Sequence, residues 1–448
     1  MINIPQTEKK RVIIVGGGFG GLKLARKLES SNFQVVLIDK NNYHQFLPLI
    51  YQIASSGMEP SSISFPFRKI VQSKKNFFFR LAEIRAVFPE RKMIQTSIGK
   101  VSYDYLVFAA GTTSNFFGNK HIEEMAIPMK NVSEAMGLRN ALLSNFERSV
   151  TCAGDNEKRE LLNIVIVGGG ATGVEIAGAL SEMKKFVLPK DYPEMDKSEL
   201  QIYLIEAVDR LLPGMDTHSS VNVEKYLRRM GVNVLLNHRV VDYKDNNVIL
   251  ENGDKIPTRS FIWVSGITAV PIGNLNPSVL GIGGRIQVNE FNRVKGLDHV
   301  FAIGDQCLQT TDPRFPNGHP QLAQVAIQQG ELLAKNLKRI EAGETPDAFH
   351  YKDLGSMATV GRNKAVAELS GMKLKGSFAW FIWLFVHLRS ILGIRNKIFV
   401  FLNWLWNYCT YESTLRLIIY ARKAKVIIDR DIREANTHWG EDVPEQES

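Results

Sequence analysis

Twice in this chain an apolar, β-type run breaks into a glycine cluster and restarts as a helix. The first copy reads RVIIV, GGGFGG, LKLARKLESS and FQVVLID over residues 11–39. The second reads NIVIV, GGGATG, a helix through Met183 and, after a polar insertion, LQIYLIE over residues 163–206. A glycine cluster alone constrains little, but one placed between strand and helix of a βαβ unit has a geometric reason. Gly16 allows the tight turn, Gly18 lets backbone approach a pyrophosphate, and Gly21 lets helix and strand pack closely. The phosphates then meet the free N–H groups and positive end of the helix. Asp39 ends the second strand 18 residues beyond Gly21 and can accept hydrogen bonds from a ribose diol. Gly168, Gly170 and Gly173 repeat the pattern, with Glu206 closing their second strand. A carboxylate there accepts from a 2′-hydroxyl and repels a 2′-phosphate, so NADH is expected over NADPH. Arg210, four residues on, weakens that preference slightly. Glu175 is expected in the first turn of the second helix, where the dipole favours an acid in any case. Because that helix start faces the cofactor cleft of a doubly wound sheet, it is assigned to the nicotinamide side.

The fingerprints stand 152 residues apart in a chain of 448, which predicts two nucleotide-binding domains. The stretches FFFRLAEIRAVFPERKMIQT and SYDYLVFAAGTT have the look of a sheet returning to the first domain. The run from NVLLNHRVV to FIWVSGI does the same for the second, and DHVFAIGD, ending at Gly304 and Asp305, brings the chain back to the first. The expected fold class is therefore α/β with two Rossmann-type domains. The first is discontinuous, residues 1–120 and 290–355, and the second, residues 121–289, is inserted into it. The basic start before RVIIV mimics a signal peptide, but five glycines in six residues break the run, so it reads as a buried first strand and a cytoplasmic protein.

Residues 356–448 form the third expected region, a C-terminal amphipathic helical membrane-binding part with a polar tail. The net charge of +9 is concentrated here, since residues 361–430 hold 12 Lys and Arg against 3 Asp and Glu while the rest balances. Residues 378–411 also hold eleven aromatics, including four of the six tryptophans. A basic surplus on the most aromatic segment favours an anionic lipid face over nucleic acid, and no nucleic-acid partner is expected. His387, Arg389, Arg395 and Lys397 cut the apolar runs well short of the roughly 20 residues a spanning helix needs. Helices lying in the lipid interface are expected; a buried helix pair or a homodimer interface is the alternative. Cys152, Cys307 and Cys409 form no closely spaced pair, so neither a disulfide framework nor a metal site is signalled.

Two nucleotide folds joined by a returning strand that ends in GD resemble the two-dinucleotide flavoprotein reductases, and AAGTT at residues 109–113 resembles their crossover segment. Three stretches narrow the resemblance to type II NADH:quinone oxidoreductases: YHQFLPLIYQIASSGMEP (43–60), AQVAIQQG (323–330), and MATVGRNKAV with the aromatic tail. It spans about residues 10–425. The resemblance implies FAD in the first fold, held by Gly16, Gly18, Gly21, Asp39, Lys40, Gln52, Ala110, Gly111, Gly304, Asp305, Ala323 and Gln324. It implies NADH at Gly168, Gly170, Gly173, Glu175, Glu206 and Gly266, and a catalytic set of Glu175, Gln324 and Gln328. The two glutamines would hydrogen-bond a quinone carbonyl, with His44, His319 and Lys364 as candidate proton donors to the reduced quinone. The implied activity is NADH oxidation through FAD with two electrons passed to a membrane quinone, ubiquinone or menaquinone. The enzyme would work on the cytoplasmic face as a peripheral protein, feeding the respiratory quinone pool without pumping protons. Scattered cysteines fit neither disulfide reductases nor sulfide:quinone reductases. A soluble two-domain reductase for another acceptor and a non-catalytic NADH-sensing flavoprotein remain the alternatives.

Overall fold

The structure, a computed structural model, describes residues 2–72, 74–369, 371–410 and 415–419. Strand β1 (Lys10–Val15) leads through the first glycine turn into α1 (Phe19–Leu28) and back into β2 (Phe33–Asp39). Both strands are buried almost throughout, which is why they read as continuous apolar runs: a parallel sheet covered on both faces has no solvent side. The chain passes through the short helix α2 (Ile50–Ala54), then adds β3 (Phe77–Leu81) beside β2 and β4 (Tyr105–Phe108) beside β1, all parallel.

The second unit follows. Strand β5 (Thr112–Ser114) crosses out of the first, and β6 (Ile127–Pro128) and α3 (Val132–Ser149) lead to β7 (Asn163–Val167). The second glycine turn opens α4 (Ala171–Phe186), followed by β8 (Gln201–Ile205), β9 (Val232–Leu235) and β10 (Ser260–Trp263). These strands form a parallel sheet in the order β6-β10-β7-β8-β9. Strand β11 (Ile267–Ala269) crosses back, zipped antiparallel to β5. By Gly273 the chain lies against the first unit: Gly273 N–H donates to Arg85 O and Val87 N–H to Gly273 O. A Cβ at Gly273 would sit 2.2 Å from Arg85 O, so only glycine permits this approach. The return thus begins near residue 270, ahead of the 290 expected. Strand β12 (Val300–Ala302) then completes the first sheet beside β4.

Helix α5 (Ala323–Glu341) packs on α1 with backbones in contact, since a Cβ at Gly330 would lie 2.4 Å from Gly20 O. An antiparallel sheet of β13 (Ser356–Thr359), β14 (Ala365–Leu369) and β15 (Met372–Lys375) precedes helices α6 (Gly376–Ser390) and α7 (Ile394–Thr410). Here α6 departs from the amphipathic expectation. It buries Ala379 and Trp383 against the protein yet exposes Phe378, Phe381 and Phe385, at 66%, 55% and 67%, on its far side. The helix thus turns one apolar face inward and leaves another exposed. On α7 only Val400 is buried, while Ile398, Phe399, Phe401, Leu402, Leu405 and Trp406 are exposed. Among the described residues no helix is long and apolar enough to cross a membrane.

Candidate active site

The two glycine turns are built alike. Gly16 and Gly168 have φ of +105° and +116°, a region that disfavours side chains. A Cβ on Gly21 would fall 1.9 Å from Gly16 O, and one on Gly173 would fall 1.8 Å from Gly168 O. The third glycine thus serves contact between helix and turn carbonyl rather than between helix and strand. A Cβ on Gly18 or Gly170 would meet nothing within 4 Å, which leaves open space before each helix. Both helices begin on these glycines with no capping side chain, so an anion can take that place. A dinucleotide's phosphates fit both cradles.

The two acids are also placed alike. Asp39 accepts from Gly17 N–H at 2.6 Å and Asn41 N–H at 2.7 Å; Glu206 accepts from Gly169 N–H at 2.6 Å and Val208 N–H at 3.1 Å. Each carboxylate braces its turn and retains lone pairs for ribose hydroxyls. Burial raises the Asp39 pKa, opposed by its two N–H donors. For Glu206→Ala, the KM for NADH is expected to rise about tenfold, the order of one charge-assisted hydrogen bond. The NADH-to-NADPH preference should fall similarly; an unchanged ratio in steady-state assays with both cofactors would remove the specificity role.

Around the first cradle, Ala110 N–H donates to Gln306 Oε1 at 3.0 Å, and Gln306 Nε2 donates to Val270 O at 2.7 Å, tying both crossing segments to the GD turn. Gly111 takes φ +69° and accepts from Val270 N–H. Gly304 N–H donates to Gln329 Oε1 at 2.7 Å, so buried Gln329, which sequence reasoning passed over, fixes the turn carrying Asp305. Burial raises the Asp305 pKa, while Lys130, Arg285 and the Thr112 hydroxyl favour its ionised form. Lys40 is exposed beside Asp39, and Ala323 is the first residue of α5. Gln52 lies on α2, where its amide joins Tyr51 to Trp404. Gly266 (φ +77°) stands against the Phe117 ring beside the second cradle.

Glu175 lies one residue beyond the first turn of α4, so the dipole does not account for it. Burial pushes its carboxyl up to about 8, against the opposing Thr359 backbone N–H. Burial thus favours its neutral form, which can donate a hydrogen bond. Gln324 and Gln328, the expected quinone ligands, are engaged elsewhere. Gln324 donates to Gly355 O and accepts from Leu354 N–H, both at 2.9 Å; Gln328 donates to Lys352 O at 2.8 Å and accepts from Lys352 N–H at 3.0 Å. Side-chain amides at i and i+4 thus pair with extended backbone as a neighbouring strand would, leaving each one N–H to offer. The three suggested proton donors each lie near another protein group. His44 is buried with Nδ1 2.9 Å from Gly17 O, and His319 is buried 3.3 Å from Asp312. Lys364 instead favours the ionised form of Glu182. Cys152, Cys307 and Cys409 are free, and among the described residues no cluster could hold a metal.

Paired dinucleotide cradles with a shared crossover define a two-nucleotide oxidoreductase fold. Residues 10–330 match the pyridine nucleotide-disulphide oxidoreductase family, and residues 354–410 match the NDH2 C-terminal domain. The type II NADH:quinone oxidoreductase Ndh of Mycobacterium tuberculosis is 31% identical over 424 residues, covering 91% of this chain and 89% of its own. The internal alternative NAD(P)H-ubiquinone oxidoreductase A1 of Solanum tuberosum is 32% identical, covering 89% and 86%. The structure of NDH2 from Plasmodium falciparum in complex with NADH superposes with a TM-score of 0.84 at 21% identity, covering 92% of this chain and 100% of that one. The chain belongs to the pyridine nucleotide-disulphide oxidoreductases and, among them, to the type II NADH:quinone oxidoreductases.

Proposed function

We propose that this protein is a peripheral flavoenzyme that oxidises NADH through FAD and reduces a quinone by two electrons without pumping protons. The observation that carries this reading is the pair of matched cradles in one chain, each with an open helix start and a bracing acid. FAD belongs to the first, with residues about 1–120 and 270–355 as its domain, and NADH to the second, about 121–269. FAD, when bound, supplies the step between hydride donor and quinone. The chain's own residues bind and orient: Asp39 and Glu206 for the ribose groups, Asp305 with Lys130 and Thr112 near the flavin's ribityl-pyrophosphate, Glu175 on the nicotinamide side. Residues 356–410 form a membrane-docking part whose exposed aromatic face rests on lipid at the cytoplasmic side; this same face would otherwise join two copies of the chain.

Gln324 keeps one N–H for a quinone carbonyl. Gln324→Met is expected to lower kcat/KM for quinone about tenfold with flavin bleaching by NADH unchanged, while Gln328→Met should change it less than about threefold. Equal losses in both would assign the effect to the backbone clamp. The function itself is tested by NADH oxidation with quinone in lipid vesicles: sustained turnover that requires quinone supports it, and flavin reduction without turnover would favour a sensor.

A further inference from the structure

Just past β5 the chain reads NFFGN over residues 115–119, and Phe117 breaks two rules there. Its backbone takes φ +52°, a left-handed conformation that a bulky side chain disfavours, and its ring is 68% exposed although burial would stabilise the fold. Such strain persists only where the surroundings enforce it, and strained residues cluster at active sites and ligand clamps. Here they do enforce it. Phe117 N–H donates to Asn115 Oδ1 at 2.8 Å, Asn115 N–H donates to Gly266 O at 3.3 Å, and the buried Trp263 indole N–H donates to Asn115 O at 2.9 Å. The Phe117 ring meets Trp263 edge-on with ring centres 6.3 Å apart and fills the space at Gly266, where a Cβ would lie 2.7 Å from its Cζ. The loop is locked to the end of β10, and its ring is a fixed, solvent-facing surface.

Position says what covers it. The second sheet runs β6-β10-β7-β8-β9, with the glycine turn at the end of β7 and Glu206 directly after β8. A dinucleotide with its pyrophosphate on the turn and its adenosine ribose at Glu206 sends its other half over β10, on the opposite side of β7. The end of β10 is packed on the turn itself, since a Cβ at Gly168 would lie 2.8 Å from Ser265 N. Gly266 comes next, and with it the Phe117 ring. The loop also begins where β5 ends, and β5 pairs with β11, so the ring stands where the second unit gives way to the first. A nicotinamide held by the second unit has to reach that boundary to meet a flavin held by the first.

Resting on the function proposed above, with NADH in the second cradle, we infer that Phe117 packs its ring against the nicotinamide end of bound NADH. The contact covers a ring that the free protein leaves bare, and aromatic pairs gain beyond the area they bury. Because hydrogen bonds hold the loop before substrate arrives, little ordering remains to oppose binding. The ring carries no titratable atom, so its effect falls on NADH binding and not on the later transfer to quinone.

Phe117→Asn removes the ring and keeps the loop, since asparagine tolerates the left-handed conformation. The holoenzyme is mixed anaerobically with NADH over a range of concentrations while flavin bleaching is followed. ADP-ribose serves as competitor, because it has the adenosine and pyrophosphate but no nicotinamide. The variant is expected to need about tenfold more NADH for half-maximal bleaching. Its ADP-ribose inhibition constant, flavin content and reoxidation by a short-chain quinone should stay within about twofold of the parent's, and Phe117→Tyr, which keeps a ring, within about threefold for NADH. Parental NADH dependence in Phe117→Asn, equal weakening of ADP-ribose, or a tenfold loss in Phe117→Tyr would overturn the inference. If Phe117→Asn fails to fold, Phe117→Leu, which fills the space at Gly266 without a ring face, decides by the same readings. A parent that NADH does not bleach would instead defeat the proposed function, and the inference with it.

Discussion

Gly21→Ala is expected to purify colourless. The new methyl carbon would sit 1.9 Å from Gly16 O, a backbone atom held by the turn itself, since Gly16 N–H donates to Ile38 O at 2.8 Å. Neither α1 nor the turn can yield without opening the cradle, because α1 is also locked to α5 through Gly20 and Gly330. Such a clash costs more than about 2 kcal/mol, and in a holoenzyme it appears first as lost cofactor. Gly173→Ala puts the equivalent methyl 1.8 Å from Gly168 O. That variant should keep its yellow colour and the flavin absorbance of the parent, yet need at least about a hundredfold more NADH to bleach. Flavin-to-protein absorbance ratios and NADH titrations separate the two. A Gly21→Ala protein with full flavin, or a Gly173→Ala protein lacking it, would show that the cradles have been assigned to the wrong cofactors.

Replacing Phe381, Phe385 and Phe399 together by serine is expected to weaken vesicle binding about a hundredfold. All three are more than half exposed, on the faces of α6 and α7 turned away from the protein. Partial insertion of each ring is worth about 1 kcal/mol, a fraction of the roughly 1.5–3 kcal/mol for full burial, and three together give about two powers of ten. Because the rings contribute little to the core, NADH bleaching of the flavin should be unchanged. Co-sedimentation with anionic vesicles measures the effect. Vesicle binding equal to the parent's would contradict the lipid reading, and loss of a dimer by light scattering with binding retained would assign the face to self-association.

What was legible in the sequence was what a local steric rule dictates. Gly16, Gly18 and Gly21, and their counterparts, could be given separate jobs because each answers to a neighbour within a few residues. The strands around them were legible because a sheet buried on both faces forbids polar interruptions. The crossing near residue 270 was not, since Gly273 is special only in meeting Arg85 from another part of the chain. The same holds at the site. Nothing local to AQVAIQQG says that Gln324 and Gln328 grip backbone 24–31 residues downstream. Likewise Glu175 could be placed on its helix, but Thr359, whose backbone N–H opposes the effect of its burial, comes from a distant segment. From sequence, helix α6 reads as amphipathic because His387 and Arg389 interrupt its run. Its two apolar faces appear only once Trp383 is buried on one side and Phe381 left bare on the other.

Anaerobic double mixing tests the central claim most directly. Protein carrying one FAD per chain is mixed with one equivalent of NADH, then with a short-chain quinone, while flavin absorbance is followed. The flavin should bleach completely in the first step and recover fully in the second, with one NAD⁺ and one quinol formed per chain. A flavin that NADH does not bleach, or that stays bleached until oxygen is admitted, would contradict the account.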